Sequence, residues 1–564
     1  MLTLSSEKSL ARFIAFGAAL TTVLVIWGSV TDPVNSPKLF ILGSFAFAAG
    51  AIAFVMGSKE LWRSSRLWLI GSIVFIVFSI SAIVNSASPL EQNIYGTYGR
   101  NTGFVTYLAL LLISTAATLL RQKSNFNLII YALFAAGVAN VAYCLWAIAF
   151  GDFIGWNNPY GNILGTFGNP NFIGAFLGIF ITALTAYVVQ PGISWIYRGL
   201  SLVIVAIGLF EIDKSNAVQG LVVSAAGFSI IGFYLVRSRF KSNLILAGYT
   251  IVIAVLGFIA LLGALQKGPL TSLIYKTSVS LRGEYWQAGW NMASQSPLTG
   301  IGMDSYGDWY RRARDEQALI LPGPETVTNA AHNIPFDILA YGGWPLFVTY
   351  LFLIALATIA IIKVTLRNKN YDGTFVALAV AWACYQIQSV ISISQIGLAI
   401  WGWVLTGAVI AYEIATRSSS TSANSTASKP KRAKEQILSA TAIGGLGLVV
   451  GALIAVPPLS ADMKWRSALS TNDLTQLKLA LEPSYMTPTD TNRLLNMVSI
   501  LENSKLPDVA YEYAKKAVEF NPESFDSWRT LYAITNSTPQ DKELALTNMK
   551  RLDPKNSNPL NTPK

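Results

Sequence analysis

Between residues 10 and 456 the sequence returns again and again to apolar runs of about 17 to 25 residues, each long enough to cross the ~30 Å hydrocarbon layer as a helix. Nothing else in the chain restricts its fold so severely. In hydrocarbon every backbone N–H and C=O must find a partner within the protein, so runs of this length fold as helices and bundle together. About thirteen are legible: 10–30, 37–56, 67–84, 103–120, 127–150, 171–189, 196–210, 218–236, 244–265, 334–362, 374–391, 397–414 and 437–456. Hydrophobic residues make up 52% of the chain and charged residues 13%, a balance that excludes an ordinary soluble protein. The first run follows Lys8 and Arg12 in the manner of a signal peptide. No small-residue cleavage site stands out, so it reads as an uncleaved first helix. The expected fold is all-α: a polytopic membrane bundle followed by a soluble helical domain.

Lys and Arg concentrate in alternate connections, at Lys8/Arg12, Lys59/Arg63/Arg66, Arg121/Lys123, Arg237/Arg239/Lys241 and Lys363/Arg367/Lys369, which places those connections and the N-terminus in the cytoplasm. The 266–333 loop and the C-terminal domain then lie outside. The same topology accounts for most of the +11 net charge, so no nucleic-acid partner is implied. Cys144 and Cys384 both fall inside apolar runs and form no disulfide framework. With a single histidine in the chain, a histidine-cluster metal site is excluded, and only carboxylates remain as candidate metal ligands.

Two domains are expected, a membrane domain over 1–457 that includes the 266–333 loop, and an extracytoplasmic helical domain over 458–564. The Ser/Thr/Ala run from Arg417 to Ser428 has the composition of a flexible linker between the last two spans. Beyond Pro457-Pro458, apolar residues recur at helical spacing at Leu494, Met497, Val498 and Leu501, then at Ala510, Ala514 and Ala517. Residues 491–524 fit the tetratricopeptide length of about 34, with Asn521-Pro522 and Asp553-Pro554 closing two successive units. Such repeats bind protein segments along a concave face, which makes 458–564 a candidate docking surface. An unrelated helical hairpin domain is the alternative.

The only histidine, His332, sits at the end of the longest hydrophilic segment, where Ala331-His332-Asn333 leads into an apolar run. An unperturbed pKa of roughly 6.5 suits imidazole to take and return a proton near neutrality. A lone histidine at a membrane surface is more often an amphipathic interface residue, so the neighbours decide. They read Leu281-Arg282-Gly283-Glu284-Tyr285-Trp286-Gln287-Ala288-Gly289-Trp290, then Ser296-Pro297-Leu298-Thr299-Gly300-Ile301-Gly302, then Ala331-His332-Asn333, then Gly342-Gly343-Trp344-Pro345. Four short motifs in this order resemble the O-antigen ligase family, with its similar O-antigen polymerases and pilin-type protein O-oligosaccharyltransferases. The resemblance covers roughly residues 10 to 415.

It implies a membrane glycosyltransferase of the GT-C type in the bacterial plasma membrane, moving a glycan from an undecaprenyl-diphosphate carrier to a lipid, glycan or protein acceptor. Membrane lipids are its surroundings, and no cofactor or metal is implied. His332 becomes the candidate base and Arg282 the candidate stabiliser of the leaving diphosphate, with Glu284 and Asp304 as fallback bases. Arg100, in the glycine-rich turn Tyr95–Gly103, suits either the diphosphate or lipid headgroups, since a guanidinium fork binds two oxygens at once. Asn169 and Asn171, flanking Pro170, either cap a helix or bind a sugar hydroxyl, and Asn333 is a further candidate contact. Where the family usually has an arginine after a serine, this chain has Asn216 after Ser215. Lys214 just before it supplies the charge without the fork, or pairs with Asp213 or Glu211. A transporter without chemistry and a scaffold that recruits envelope partners are the competing functions.

Overall fold

The computed structural model describes residues 4–156, 158, 161–274, 277–418, 430–471, 473–558 and 560, and among these it is built from helices without a strand. All of the expected spans fall on helices. Ten of those helices are long and apolar enough to cross a membrane. Three expected spans lie outside that set: Leu4–Val23, which carries Glu7, Lys8 and Arg12, and the short Phe104–Ala117 and Gly373–Ser389. The protein is therefore a polytopic helical membrane protein. The expected linker lies outside the described residues from 419 to 428.

Polar contacts sort the connections between two ends of the bundle. At one end Glu7 accepts hydrogen bonds from the backbone N–H groups of Arg121 (2.7 Å) and Gln122 (2.9 Å) and from Asn125 Nδ2 (2.8 Å). Arg121 also pairs with Glu60 at 3.5 Å, so three connections meet there. At the other end Asp462 accepts from the backbone N–H groups of Thr31 (3.0 Å) and Asp32 (2.8 Å) and from the Tyr98 hydroxyl (3.1 Å). Within the bundle Gln219 Nε2 donates to Gln388 Oε1 at 3.1 Å, a cross-link between two helices that keeps both amides out of lipid.

The segment after residue 266 is folded rather than extended, with helices at Thr271–Ile274, Thr277–Gln295, Tyr306–Ala313 and Gln317–Ile320. The helix of the last span, Pro430–Thr471, continues out of the bundle through Pro457-Pro458. Two helix pairs follow, Thr491–Asn503 with Pro507–Phe520 and Phe525–Ala533 with Pro539–Leu552, around a core of their own that includes Met497, Ala514, Leu531 and Met549. Asp490 caps the first of these helices and a Thr538/Asp541 capping box opens the last.

This domain is joined to the 266–333 segment through charge. Arg314 reaches Asp553 at 2.6 Å with both side chains fully buried, and Arg311 reaches the same carboxylate at 3.4 Å. Arg312 pairs with Glu523, Arg529 with Glu325 at 2.9 Å and Lys555 with Asp315 at 2.9 Å. Asn521 and Asp553, the residues before Pro522 and Pro554, both face the segment, since Asn521 Nδ2 also donates to Asp308 at 3.4 Å.

Candidate functional site

The site is organised by a break in a helix. Ile334–Arg367 loses helical geometry at Gly342 and Gly343, the latter at φ 63°. Pro345 has no N–H to give the Tyr341 carbonyl, and Trp344 N–H is turned to the Pro297 carbonyl at 2.9 Å. The freed carbonyls of Ala340 and Tyr341 accept instead from Ile301 N–H and Gly302 N–H, each at 3.0 Å. A Cβ on Gly343 would stand 2.3 Å from the Pro297 oxygen, and one on Gly300 2.3 Å from the Tyr341 oxygen. Backbone meets backbone here, which is why the Pro-x-x-Gly-x-Gly and Gly-Gly-Trp-Pro motifs need their glycines.

His332 lies just outside this helix, half buried and at φ 55°, a left-handed conformation uncommon for a residue with a Cβ. It is bracketed on both sides. Asp337, itself buried, accepts from Ala331 N–H at 2.6 Å, and Asn333 Oδ1 accepts from Phe336 N–H at 3.2 Å as the helix cap. The imidazole stacks on Tyr285 with ring centres 5.5 Å apart, and Trp286 stacks on Phe336 at 5.9 Å. Tyr285 in turn packs edge-on against Tyr310 at 5.8 Å.

Arg282 stands one helical turn before Tyr285, on the face that meets His332. It is half buried and makes no hydrogen bond or ion pair among the described residues. Arg100 is buried; its Nη1 donates to the Asn329 carbonyl (2.8 Å) and to Asn329 Oδ1 (2.5 Å), while its Nε has no partner. Burial first, and then the two guanidinium groups of Arg282 and Arg100, push the His332 imidazole down to about 4. The imidazole is therefore neutral at physiological pH, the form that accepts a proton. Burial also lowers Arg282, which stays charged at neutrality.

Asp304 has a different job. Its Oδ2 accepts from Thr97 N–H (2.9 Å), Thr102 N–H (3.3 Å) and Thr102 Oγ1 (3.0 Å), and its Oδ1 from the Tyr341 hydroxyl (3.2 Å). It clasps the glycine-rich turn that carries Arg100 and is buried away from an incoming proton donor. Glu284 is half exposed, with its carboxyl pushed up by burial and by Asp315.

Three of the remaining candidates belong to other connections of the bundle. Asn169 Oδ1 caps the Pro170–Val188 helix by accepting from Asn171 N–H at 2.9 Å, and Asn171 is exposed. Lys214 is exposed over the Phe210 ring at 5.4 Å and forms no ion pair with Asp213 or Glu211. Asn333 is next to the imidazole but spends its oxygen on the cap. Sequence reasoning missed Asp337, Asn329 and Tyr285. Of these, Asp337 alone carried a signal, as a carboxylate in the first turn of an apolar run.

Apolar helices spanning the bundle, with a folded polar segment gathered at one end, define a multi-pass membrane protein. Residues 200–351, about a quarter of the chain, match the O-antigen ligase family, a likeness that points to a membrane glycosyl-transferring function. The match holds Lys214, Arg282, His332 and Asn333, whereas Arg100, Asn169, Asn171 and the C-terminal helices lie outside it. No curated protein matches the chain significantly.

Proposed function

We propose that the protein transfers a glycan from an undecaprenyl-diphosphate carrier to an acceptor hydroxyl at the outer face of a bacterial plasma membrane. One observation carries this reading: a neutral imidazole stands beside Arg282, a half-buried guanidinium with no partner among the described residues, and beside Arg100. A half-buried cation without a counter-ion among the described residues calls for an anion, and a diphosphate held by guanidinium forks supplies it.

The acceptor oxygen attacks the anomeric carbon as its proton passes to His332, and the bond from that carbon to the diphosphate oxygen breaks on the opposite side. The configuration inverts. Negative charge grows on the departing diphosphate, where Arg282 and the free edge of Arg100 stabilise it more in the transition state than in the ground state. Diphosphate binding also offsets the positive field that depresses the imidazole, so the base strengthens once the donor is seated. Asn333 and Asp337 hold His332 in place, while Asn169, Asn171 and Lys214 line the same end of the bundle as secondary glycan contacts.

The topology that accompanies this function has the N-terminus in the cytoplasm and residues 458–564 outside, where they form a tetratricopeptide-like domain that docks protein partners of envelope assembly. The test is glycan transfer by purified protein carrying Arg282→Ala or His332→Asn, with membrane insertion checked first. Loss of at least about a hundredfold is expected for each. Wild-type rates in His332→Asn would remove the base. Mass analysis of products from cells with and without the protein assigns the acceptor: unlinked repeats mark a polymerase, uncapped lipid a ligase, bare protein an oligosaccharyltransferase.

A further inference from the structure

Behind the turn that presents Arg100 lies a cleft between the membrane bundle and the C-terminal domain. One wall is the 91–101 segment and the other is the turn before Thr491 with the end of the Pro507–Phe520 helix. The groups facing it have an unusual property. Among the described residues Glu91 and Thr489 make no hydrogen bond or ion pair, and Asn101, which is 4% exposed, leaves its buried Oδ1 without a partner. Buried amide oxygens are almost always satisfied, so an orphan lining a cleft points to a ligand or water that satisfies it.

Between these polar groups stand the rings of Tyr95 and Phe520, both half buried. The charged residues in the lining are Glu91, Asp490 and Arg493. Asp490 is occupied in capping Arg493 N–H at 3.0 Å, and the guanidinium is turned to the Pro488 carbonyl at 2.7 Å. The cleft thus offers acceptors to a donor of hydroxyl protons, flat apolar faces to a ring of C–H groups, and no free cation for a phosphate. That is the chemistry of an uncharged saccharide.

Its place matters as much as its lining. Gln92, which also lines the cleft, donates to the Asp304 carbonyl at 3.2 Å, and Asn101 is next in sequence to Arg100. One loop separates the cleft from the imidazole. We infer that the cleft between residues 91–101 and the C-terminal domain is the subsite for the non-reacting sugars of a saccharide acceptor. The inference rests on the transferase reading above, and it makes the C-terminal domain part of the acceptor site.

The experiment uses full-length protein in nanodiscs and, as probe, the oligosaccharide freed by mild acid from the cells' own lipid-linked pool. Saturation-transfer NMR reads binding directly. Glu91→Ala removes an acceptor, and Thr489→Trp fills the cleft from a half-exposed turn outside the reacting group. Each is expected to weaken the probe signal and to raise the acceptor KM roughly tenfold with kcat little changed, whereas His332→Asn keeps the probe signal and loses transfer. Unchanged probe binding and acceptor KM in both cleft variants would overturn the subsite while leaving the transferase intact. A rise in donor KM alone, or competition by an unglycosylated peptide in place of the probe, would overturn it as well. Transfer that persists in His332→Asn refutes the base and not the cleft, because the NMR signal is independent of turnover.

Discussion

His332 occupies a left-handed backbone position that a residue with a Cβ adopts at a cost of about 1 to 3 kcal/mol. The cost is tolerated because Asp337 and Asn333 pin the residues on either side. Asparagine accepts the same conformation, so His332→Asn should insert and fold while losing the proton acceptor. Retained thermal stability with lost transfer is the expected pair of results. The depressed imidazole has a second consequence. Between the ordinary value near 6.5 and the folded value of about 4, the unfolded chain binds a proton that the folded one does not. Stability therefore falls as pH drops through that window and returns as it rises. His332→Asn should flatten this part of the melting-temperature profile between about pH 6.5 and 4. A variant whose acid sensitivity matches wild type would contradict the burial of the imidazole. At neutral pH the same group is fully deprotonated, so kcat/KM should show no acidic limb from His332 above about pH 5.

At the scale of an element, the broken helix Ile334–Arg367 converts two peptide motifs into one joint. Its carbonyls would be unsatisfied without the Ile301 and Gly302 N–H groups, and those groups reach them only because Gly300 and Gly343 have no side chain. Gly343→Ala meets both a positive φ and a Pro297 oxygen at 2.3 Å. It should destabilise the protein by about 3 kcal/mol or more and release the His332 end of the helix, read as a lower melting temperature together with faster proteolysis between residues 296 and 333. Gly99→Ala, at a positive φ with open space around it, is the control and should cost less.

For the molecule as a whole, the C-terminal domain is a brace as well as a candidate docking module. Asp553 shares its carboxylate between Arg311 and Arg314, and removing one partner from such a buried group strands the charge of the others. Asp553→Ala is expected to cost about 3 to 5 kcal/mol, with Glu523→Ala costing less because Arg551 also reaches it from the surface. The Tyr306–Ala313 helix carries Arg311, with Arg314 as its C-cap, and leads through Tyr310 and Tyr285 to the imidazole. Loosening the brace should therefore lower transfer as well as stability, and deleting residues 458–564 should abolish transfer even where insertion survives. Full activity in the deletion would show the brace to be dispensable.

The bundle and its all-helical class were legible in the sequence, because apolar length and the period of 3.6 act locally and survive without knowledge of neighbours, whereas helix ends were not: the expected 10–30 span is the helix Leu4–Val23 and the expected 437–456 span the helix Pro430–Thr471. The motifs around Arg282, Gly300 and His332 were legible in the same way, as strings. What only tertiary structure decided was their use. Asp304 and Glu284 looked alike as outward carboxylates, yet one is spent clasping a loop more than two hundred positions away along the chain. Asn333 looked like a sugar contact and serves as a cap, Asp337 was given no role and pins the backbone beside the histidine, and Asp553, ahead of Pro554, holds the loop's arginines. Hydrogen-bond satisfaction is settled by which distant groups are brought together in a dry interior, and a linear pattern carries no record of that.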